Sequence, residues 1–127
     1  MVYVMEPGGQ KVIMNDWREL KIMMKALADV ARLTIVYHLA HQEEITVTAL
    51  TDLLGISQPL VSWHLRKLRR AGLIRTRRAG RQVYCTLDYQ RFQYCLQRQA
   101  SLVDPAVMVE RVPVGTSLIE EEAVLEE

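Results

Sequence analysis

Between Asp52 and Asp88 the chain carries no acidic residue and eight basic ones: Arg66, Lys67, Arg69, Arg70, Arg75, Arg77, Arg78 and Arg81. An even spread of the chain's 15 acids would put about four in that window. A polyanion explains the depletion. Each Lys or Arg set against a phosphate releases a condensed counterion, and an interleaved carboxylate would undo the gain. An ordinary solvated face mixes both signs. The polar residues at the head of the window suit base edges. Gln58 can pair with adenine through two hydrogen bonds and Arg66 with guanine, while Ser57, Ser62 and His64 are short or planar groups for phosphates or bases. His64 fits a core-rim histidine equally well, and Trp63 reads as packing. Arg75, Arg77, Arg78 and Arg81 suit backbone or minor-groove contact, which positions without specifying.

These residues need a frame. Ser57 is a strong N-cap, Pro59 sits in a first turn, Val61, Leu65 and Leu68 make an inner stripe, and Ala71-Gly72 ends the helix. A shorter helix precedes it, Ala49 to Leu54, capped by Thr48 and stopped by Gly55. Helix, Gly turn and helix make a helix-turn-helix. Two strand-like runs follow, Leu73 to Arg78 and Arg81 to Leu87, around Ala79-Gly80, a hairpin in the position of a wing. Upstream, Ile13, Trp17, Leu20, Met24 and Leu27 recur at steps of four and three, with Met23 and Ala26 as a second apolar face. A helix apolar on two sides has two neighbours to satisfy: one can be its own core and the other a second subunit, or both lie within its own domain. Asp29 caps the next helix, whose stripe is Val30, Leu33, Tyr37 and Ala40, thickened by Ile35, Val36 and Leu39. Ile45-Thr46-Val47 is a short edge strand. Asp88 caps a last helix with Tyr89, Phe92, Leu96 and Val103 on one stripe, ended by Asp104-Pro105. The expected fold is mainly α with a small β-hairpin wing, a winged helix-turn-helix. Residues 1–12 are a flexible arm, 13–103 the DNA-binding and dimerisation domain, and 104–127 an acidic tail.

The net charge of +1 conceals a segregation. Residues 102–127 hold seven acids and one base, net −6, and the rest of the chain holds 15 bases and eight acids, net +7. A tail of that charge competes with phosphate for the body's arginines, merely solubilises, or docks through Val112, Leu118, Ile119 and Leu125; Ser117 can cap a short helix over 118–126. No apolar run approaches the roughly 18 residues of a membrane span. The N-terminus lacks the pattern of a secretory signal, and two cysteines make no disulfide framework, so a reducing cytoplasm is expected. There is no GxGxxG, P-loop, HExxH or CxxC motif, and no carboxylate pair or nucleophile–base set. Neither an enzyme nor a resident cofactor is expected.

From Leu27-Ala28-Asp29 and Arg32, through Gly55-Ile56-Ser57-Gln58-Pro59, Val61-Ser62, His64-Leu65, Leu68 and Gly72-Leu73-Ile74, to Arg77, Gly80-Arg81 and Val83-Tyr84, the chain resembles the ArsR/SmtB family of winged-helix transcriptional regulators. The likeness covers about residues 13–103. It implies a homodimer built from the first and last helices, with Trp17, Leu20 and Met24 beside Phe92 and Leu96. It also implies double-stranded DNA with an inverted-repeat operator as partner, usually under repression, released by an effector that the sequence does not name. Many members sense metals, and here the residues depart. Glu44-Ile45-Thr46-Val47-Thr48-Ala49-Leu50 stands where the family carries E-L-C-V-C-D-L, and hydroxyls do not replace thiolates for soft metals. At the second family site Asp88 matches, but Gln90 and Ser101 stand in place of histidines and Asp104 in place of a Glu. No metal is therefore expected. His38 and His41 lie three apart without an obvious third ligand and read most plainly as surface histidines. Two alternatives remain: a winged helix used as a protein-interaction module, and a thiol-responsive regulator acting through Cys85 or Cys95. The latter needs an exposed, low-pKa sulfur.

Overall fold

The structure is a computed structural model that describes residues 3–5, 11–13, 17–104, 106 and 107. Its order is β1 (Tyr3–Met5), β2 (Lys11–Ile13), α1 (Arg18–Leu27), α2 (Val30–His41), β3 (Ile45–Thr46), α3 (Val47–Leu54), α4 (Gln58–Arg70), β4 (Ile74–Ala79), β5 (Gln82–Leu87) and α5 (Tyr89–Ser101). Among the described residues these make five helices, a three-stranded antiparallel sheet ordered β3-β5-β4, and a separate β1-β2 pair. The wing is β4 and β5, in register from Ile74↔Leu87 to Ala79↔Gln82. Gly80 turns it at φ +62°, a conformation that costs other residues a Cβ clash.

Local signals fix most element ends. The Asp29 carboxylate accepts from the amides of Ala31 at 2.9 Å and Arg32 at 3.4 Å. The Ser57 hydroxyl accepts from Leu60 at 3.4 Å, and Asp88 from Arg91 at 3.1 Å. Gly55 closes α3 at φ +66°. Two ends differ from the sequence reading. The cap of α3 is Thr46, accepting from Ala49 at 3.1 Å, not Thr48. Thr46 leaves the strand in the extended conformation that an N-cap needs, so the helix starts at Val47, two residues before the expected Ala49. The first helix starts at Arg18, and Ile13 lies in β2, paired with Tyr3. Part of the expected flexible arm is thus a strand pair; Tyr3, Val4, Val12 and Ile13 are residue types that favour strands.

The core is one cluster. It takes Leu20, Met23 and Ala26 from α1, Ile35, Val36 and Leu39 from α2, Val61, Leu65 and Leu68 from α4, and Ile74, Cys85 and Leu87 from the wing's base. Three faces turn out otherwise than expected. Leu20 is only 2% exposed, inside its own subunit's core, so it is not on an outer dimer face. In α2 the stripe of Val30, Leu33, Tyr37 and Ala40 points outward, and Ile35, Val36 and Leu39 point in. That helix is apolar nearly all round, so periodicity could not choose a side. Arg32 chooses it, by bonding back to the carbonyls that end α1. In α5 the inward residues are Arg91 and Cys95, with Phe92 half-buried, while Tyr89, Leu96 and Val103 are exposed. The buried Arg91 is paired with Glu19 at 3.0 Å, and it passes beneath Gly72, where a Cβ would lie 3.1 Å from its Nε. The helix ends at Ser101, before Val103. Apart from Asp104, Ala106 and Val107, the acidic tail and its expected helix over 118–126 lie outside the described residues.

Leu65 has no exposed surface. Leu65→Ala is expected to lower the unfolding free energy by about 2–5 kcal/mol, measured by urea denaturation followed by circular dichroism. A change below about 0.5 kcal/mol would contradict this placement of α4's inner face.

Candidate nucleic-acid interface

Helix α4 is pinned by one stripe. Val61, Leu65 and Leu68 are fully buried, and at 100° per residue the opposite side must face solvent. Ser57, Gln58, Pro59, Leu60, Trp63, Lys67 and Arg70 are exposed there, and Ser62 and Arg66 are half-buried. Lys67, Arg69 and Arg70 occupy the last turn, where cations complement the helix dipole. In the wing Arg75 alternates with the buried Ile74 and Thr76, and Arg77, Arg78 and Arg81 are exposed at its far end.

Of the residues expected to meet DNA, Ser57, Gln58, Arg75, Arg77, Arg78 and Arg81 are therefore exposed, and Ser62 and Arg66 partly so. His64 is not. It is 6% exposed, with Nδ1 3.0 Å from Nη1 of Arg32. Burial holds its pKa below the ordinary imidazole value, the Asp29 carboxylate pulls it up, and the Arg32 charge pushes it down again. Its spacing explains this: three after Val61 and four before Leu68, it lies on the inner side. The same angular count places Trp63 outside. Trp63 is 44% exposed, with the Lys67 ammonium 4.9 Å from its ring centroid. By type a tryptophan reads as core, yet two residues after Val61 is the wrong side of the helix for that. An exposed indole beside Lys67 can offer the apolar contact that a thymine methyl accepts.

One acid enters the basic region from outside the window. Glu44 binds Arg77 through two bonds, Nε to Oε2 at 2.8 Å and Nη2 to Oε1 at 2.7 Å. The guanidinium also lies 4.4 Å from the Tyr84 ring centroid. The hydrogen bond from Arg77 holds the Glu44 carboxyl below its usual pKa, so the pair is charged at neutral pH. Arg77 thus reaches solvent with its charge partly answered.

A model of the bacterial regulatory protein, arsR family, matches residues 29–76. The solved structure of HlyU from Vibrio cholerae is 30% identical at a TM-score of 0.58, and the match covers 72% of this chain and 98% of that one. The chain belongs to the ArsR family. HlyU from Vibrio vulnificus is 36% identical at a TM-score of 0.52, over 65% and 85% of the two chains. Among curated relatives, the arsenic resistance transcriptional regulator ArsR1 of Pseudomonas putida is 40% identical over 81 residues, 64% of this chain and 61% of that protein. KmtR of Mycobacterium tuberculosis is 39% identical over 66 residues, half of that protein's length.

In this ArsR-family chain the metal positions hold the hydroxyls of Thr46 and Thr48, and Thr46 is already used as a helix cap. His41 Nδ1 is 2.7 Å from the Tyr37 carbonyl. Among the described residues there is no group of three or more His, Cys, Asp or Glu fit to hold a metal ion, and no helix long and apolar enough to cross a membrane. Cys85 and Cys95 are both buried. Burial pushes the Cys95 thiol pKa up, against the hydrogen bond from Gln99. Neither sulfur is exposed, as a thiol sensor's must be.

Removing the acid at the wing should expose its base. Glu44→Gln is expected to tighten binding to a random-sequence duplex by roughly two- to threefold at low salt and by nothing near 1 M, measured by fluorescence anisotropy. Weaker binding at low salt would show that the pair holds the wing in its binding shape instead.

Proposed function

We propose that this chain is a cytoplasmic, homodimeric repressor that binds an inverted repeat in double-stranded DNA and carries no resident metal. The observation that carries the reading is the division of α4: one side is buried aliphatic, and the other presents Gln58, Trp63 and Lys67 with no carboxylate among them. The first turn of α4, Ser57 to Ser62, enters the major groove, where Gln58 reads a base edge and Trp63 a thymine methyl. Arg66, Lys67 and Arg70 answer phosphates flanking the groove, and Arg75, Arg78 and Arg81 do so along the wing. The family membership and the regulator relatives support the same reading. The matched segments span 61% and 50% of the two curated relatives named above, so partners and regulation rest on this chain's own residues.

The dimer face is apolar and unsatisfied in one subunit. Met24 is 43% exposed, Leu96 45% and Leu102 50%. Trp17, Leu20, Met24, Ala28 and Leu102 line an open groove of about 440 Å³ with Lys21 and Lys25 at its rim. Exposed apolar area of this kind favours association. Trp17, Met24, Phe92 and Leu96 form the contact, and Leu20 supports it from beneath. Two α4 helices related by a two-fold axis then require a two-fold site.

Selection from a random-sequence duplex library is expected to return an inverted repeat. On it Gln58→Ala should cost about 1–3 kcal/mol and relax preference at one base pair of each half-site. Arg81→Ala should weaken all sequences alike and flatten the salt slope by about one unit for each phosphate left unneutralised, doubled in a dimer. A selected pool without a repeat would contradict the two-fold reading. Sedimentation at micromolar concentration should give a dimer for the wild type and a folded monomer for Met24→Glu. A monomeric wild type would overturn the interface.

A further inference from the structure

Arg32 sits 8% exposed where three elements meet. Its Nε donates to the Ala26 carbonyl at 2.5 Å, and its Nη2 to the Lys25 carbonyl at 3.3 Å, both in the last turn of α1. Its Nη1 is 3.0 Å from Nδ1 of His64 on α4 and 4.0 Å from the carboxylate of Asp29, the cap of α2. A guanidinium has only donors. The Nδ1 of His64 must therefore accept, which leaves the imidazole neutral with its proton on Nε2. The Trp63 ring stands edge-on to His64 at 5.1 Å, and the Arg32 Cζ lies 5.7 Å from the Trp63 centroid. One cation thus joins the end of α1, the start of α2, and the two adjacent residues of α4 that divide its inner and outer sides.

We propose that Arg32 is a positioning residue for DNA reading: by bonding the lone pair of His64 Nδ1 it fixes the rotation of α4 against the α1–α2 corner, and protonation of His64 breaks that bond and weakens sequence-specific binding. The proposal rests on the DNA-reading role of α4 and adds what holds and releases it. The apolar stripe of Val61, Leu65 and Leu68 tolerates small rotations, since methyl groups slide; a hydrogen bond to a fixed guanidinium does not. A rotation moves Gln58 and Trp63 across the base edges but leaves long arginines and lysines able to reach phosphate. Loss of the bond therefore affects specific binding and spares the non-specific kind.

The groups facing His64 set the direction of the pH effect. Asp29, at the start of α2, favours the imidazolium, and Arg32, within α2, opposes it. From α1 come only the carbonyls of Lys25 and Ala26, which engage Arg32. On α4 itself the ammonium of Lys67 sits by the Trp63 ring. Burial is the largest influence and opposes the charge. The folded chain therefore keeps His64 neutral to a lower pH than the unfolded chain, whose histidine titrates near about 6.5. The stability from this cluster is complete above about pH 6.5 and falls as the pH drops below that value.

The test uses the full chain, the selected inverted repeat and a random duplex of equal length. On acidification from pH 7.5 to a pH below the His64 transition, followed by NMR, the wild type should lose roughly tenfold in preference for the repeat. His64→Asn places an amide oxygen where Nδ1 stood and should keep the preference at both pH values. Arg32→Met, which retains the aliphatic stem, should show the acid-state loss already at pH 7.5. The imidazole nitrogens of the free protein give a readout independent of DNA. By NMR, His64 should be the Nε2–H tautomer at neutral pH and titrate below the ordinary imidazole value of about 6.5. An Nδ1–H tautomer, titration of His64 at or above the ordinary imidazole value, or an equal acid loss in His64→Asn would overturn the proposal. If Arg32→Met does not fold, the His64→Asn and NMR results decide alone. A failed selection would sink the reading of α4 while the NMR result still judges the Arg32–His64 bond.

Discussion

Helix α4 has to satisfy two solvents at once, and the rest of the fold is arranged around that demand. Val61, Leu65 and Leu68 are fully buried, each worth about 1.5–3 kcal/mol against exposure. The opposite side is left with cations and small polar groups. Packing a basic helix next to a basic wing concentrates like charge, which opposes the compact state. The burial of α4's inner stripe under α1, α2 and α3 offsets that repulsion. The bases on its outer side remain available because no carboxylate is near them in sequence.

Buried arginines hold the corners that support α4. Arg32 fastens the α1–α2 turn, and Arg91 fastens α5 to α1 through Glu19, whose other oxygen accepts from the Tyr94 hydroxyl at 2.7 Å. Burying a charge is costly unless its partners are well placed, and such pairs fix geometry more than they add stability. Both lie beside α1, the helix expected at the dimer contact. The surface proposed for the dimer and the surface proposed to read DNA are thus joined through α1 by hydrogen bonds of defined direction, not by apolar packing alone.

Much of this was legible in the sequence because it depends on short-range chemistry. The caps at Asp29, Ser57 and Asp88, the turns at Gly55 and Gly80, the inner stripe of α4 and the wing hairpin all follow from residues within a few positions of one another. The errors have physical sources too. Helix α2 is apolar on both sides, and only Arg32's tertiary bonds decide which is buried. Leu20 belongs to the core although its spacing also fits an outer seam. Side-chain type alone puts the polar His64 outside and the aromatic Trp63 inside, whereas the 100° step between them gives the reverse. The Glu44–Arg77 pair joins residues 33 positions apart, and no local pattern announces it.

Backbone amide shifts during titration with the selected inverted repeat would test most directly whether α4 reads DNA. The expected result is a set of large shifts from Ser57 to Lys67 and from Arg75 to Arg81, with α1 and the outer residues of α5 unmoved and the α4 subset smaller on a random duplex. Shifts confined to the wing, identical for both duplexes, would contradict a base-reading α4 and leave only a phosphate-binding protein.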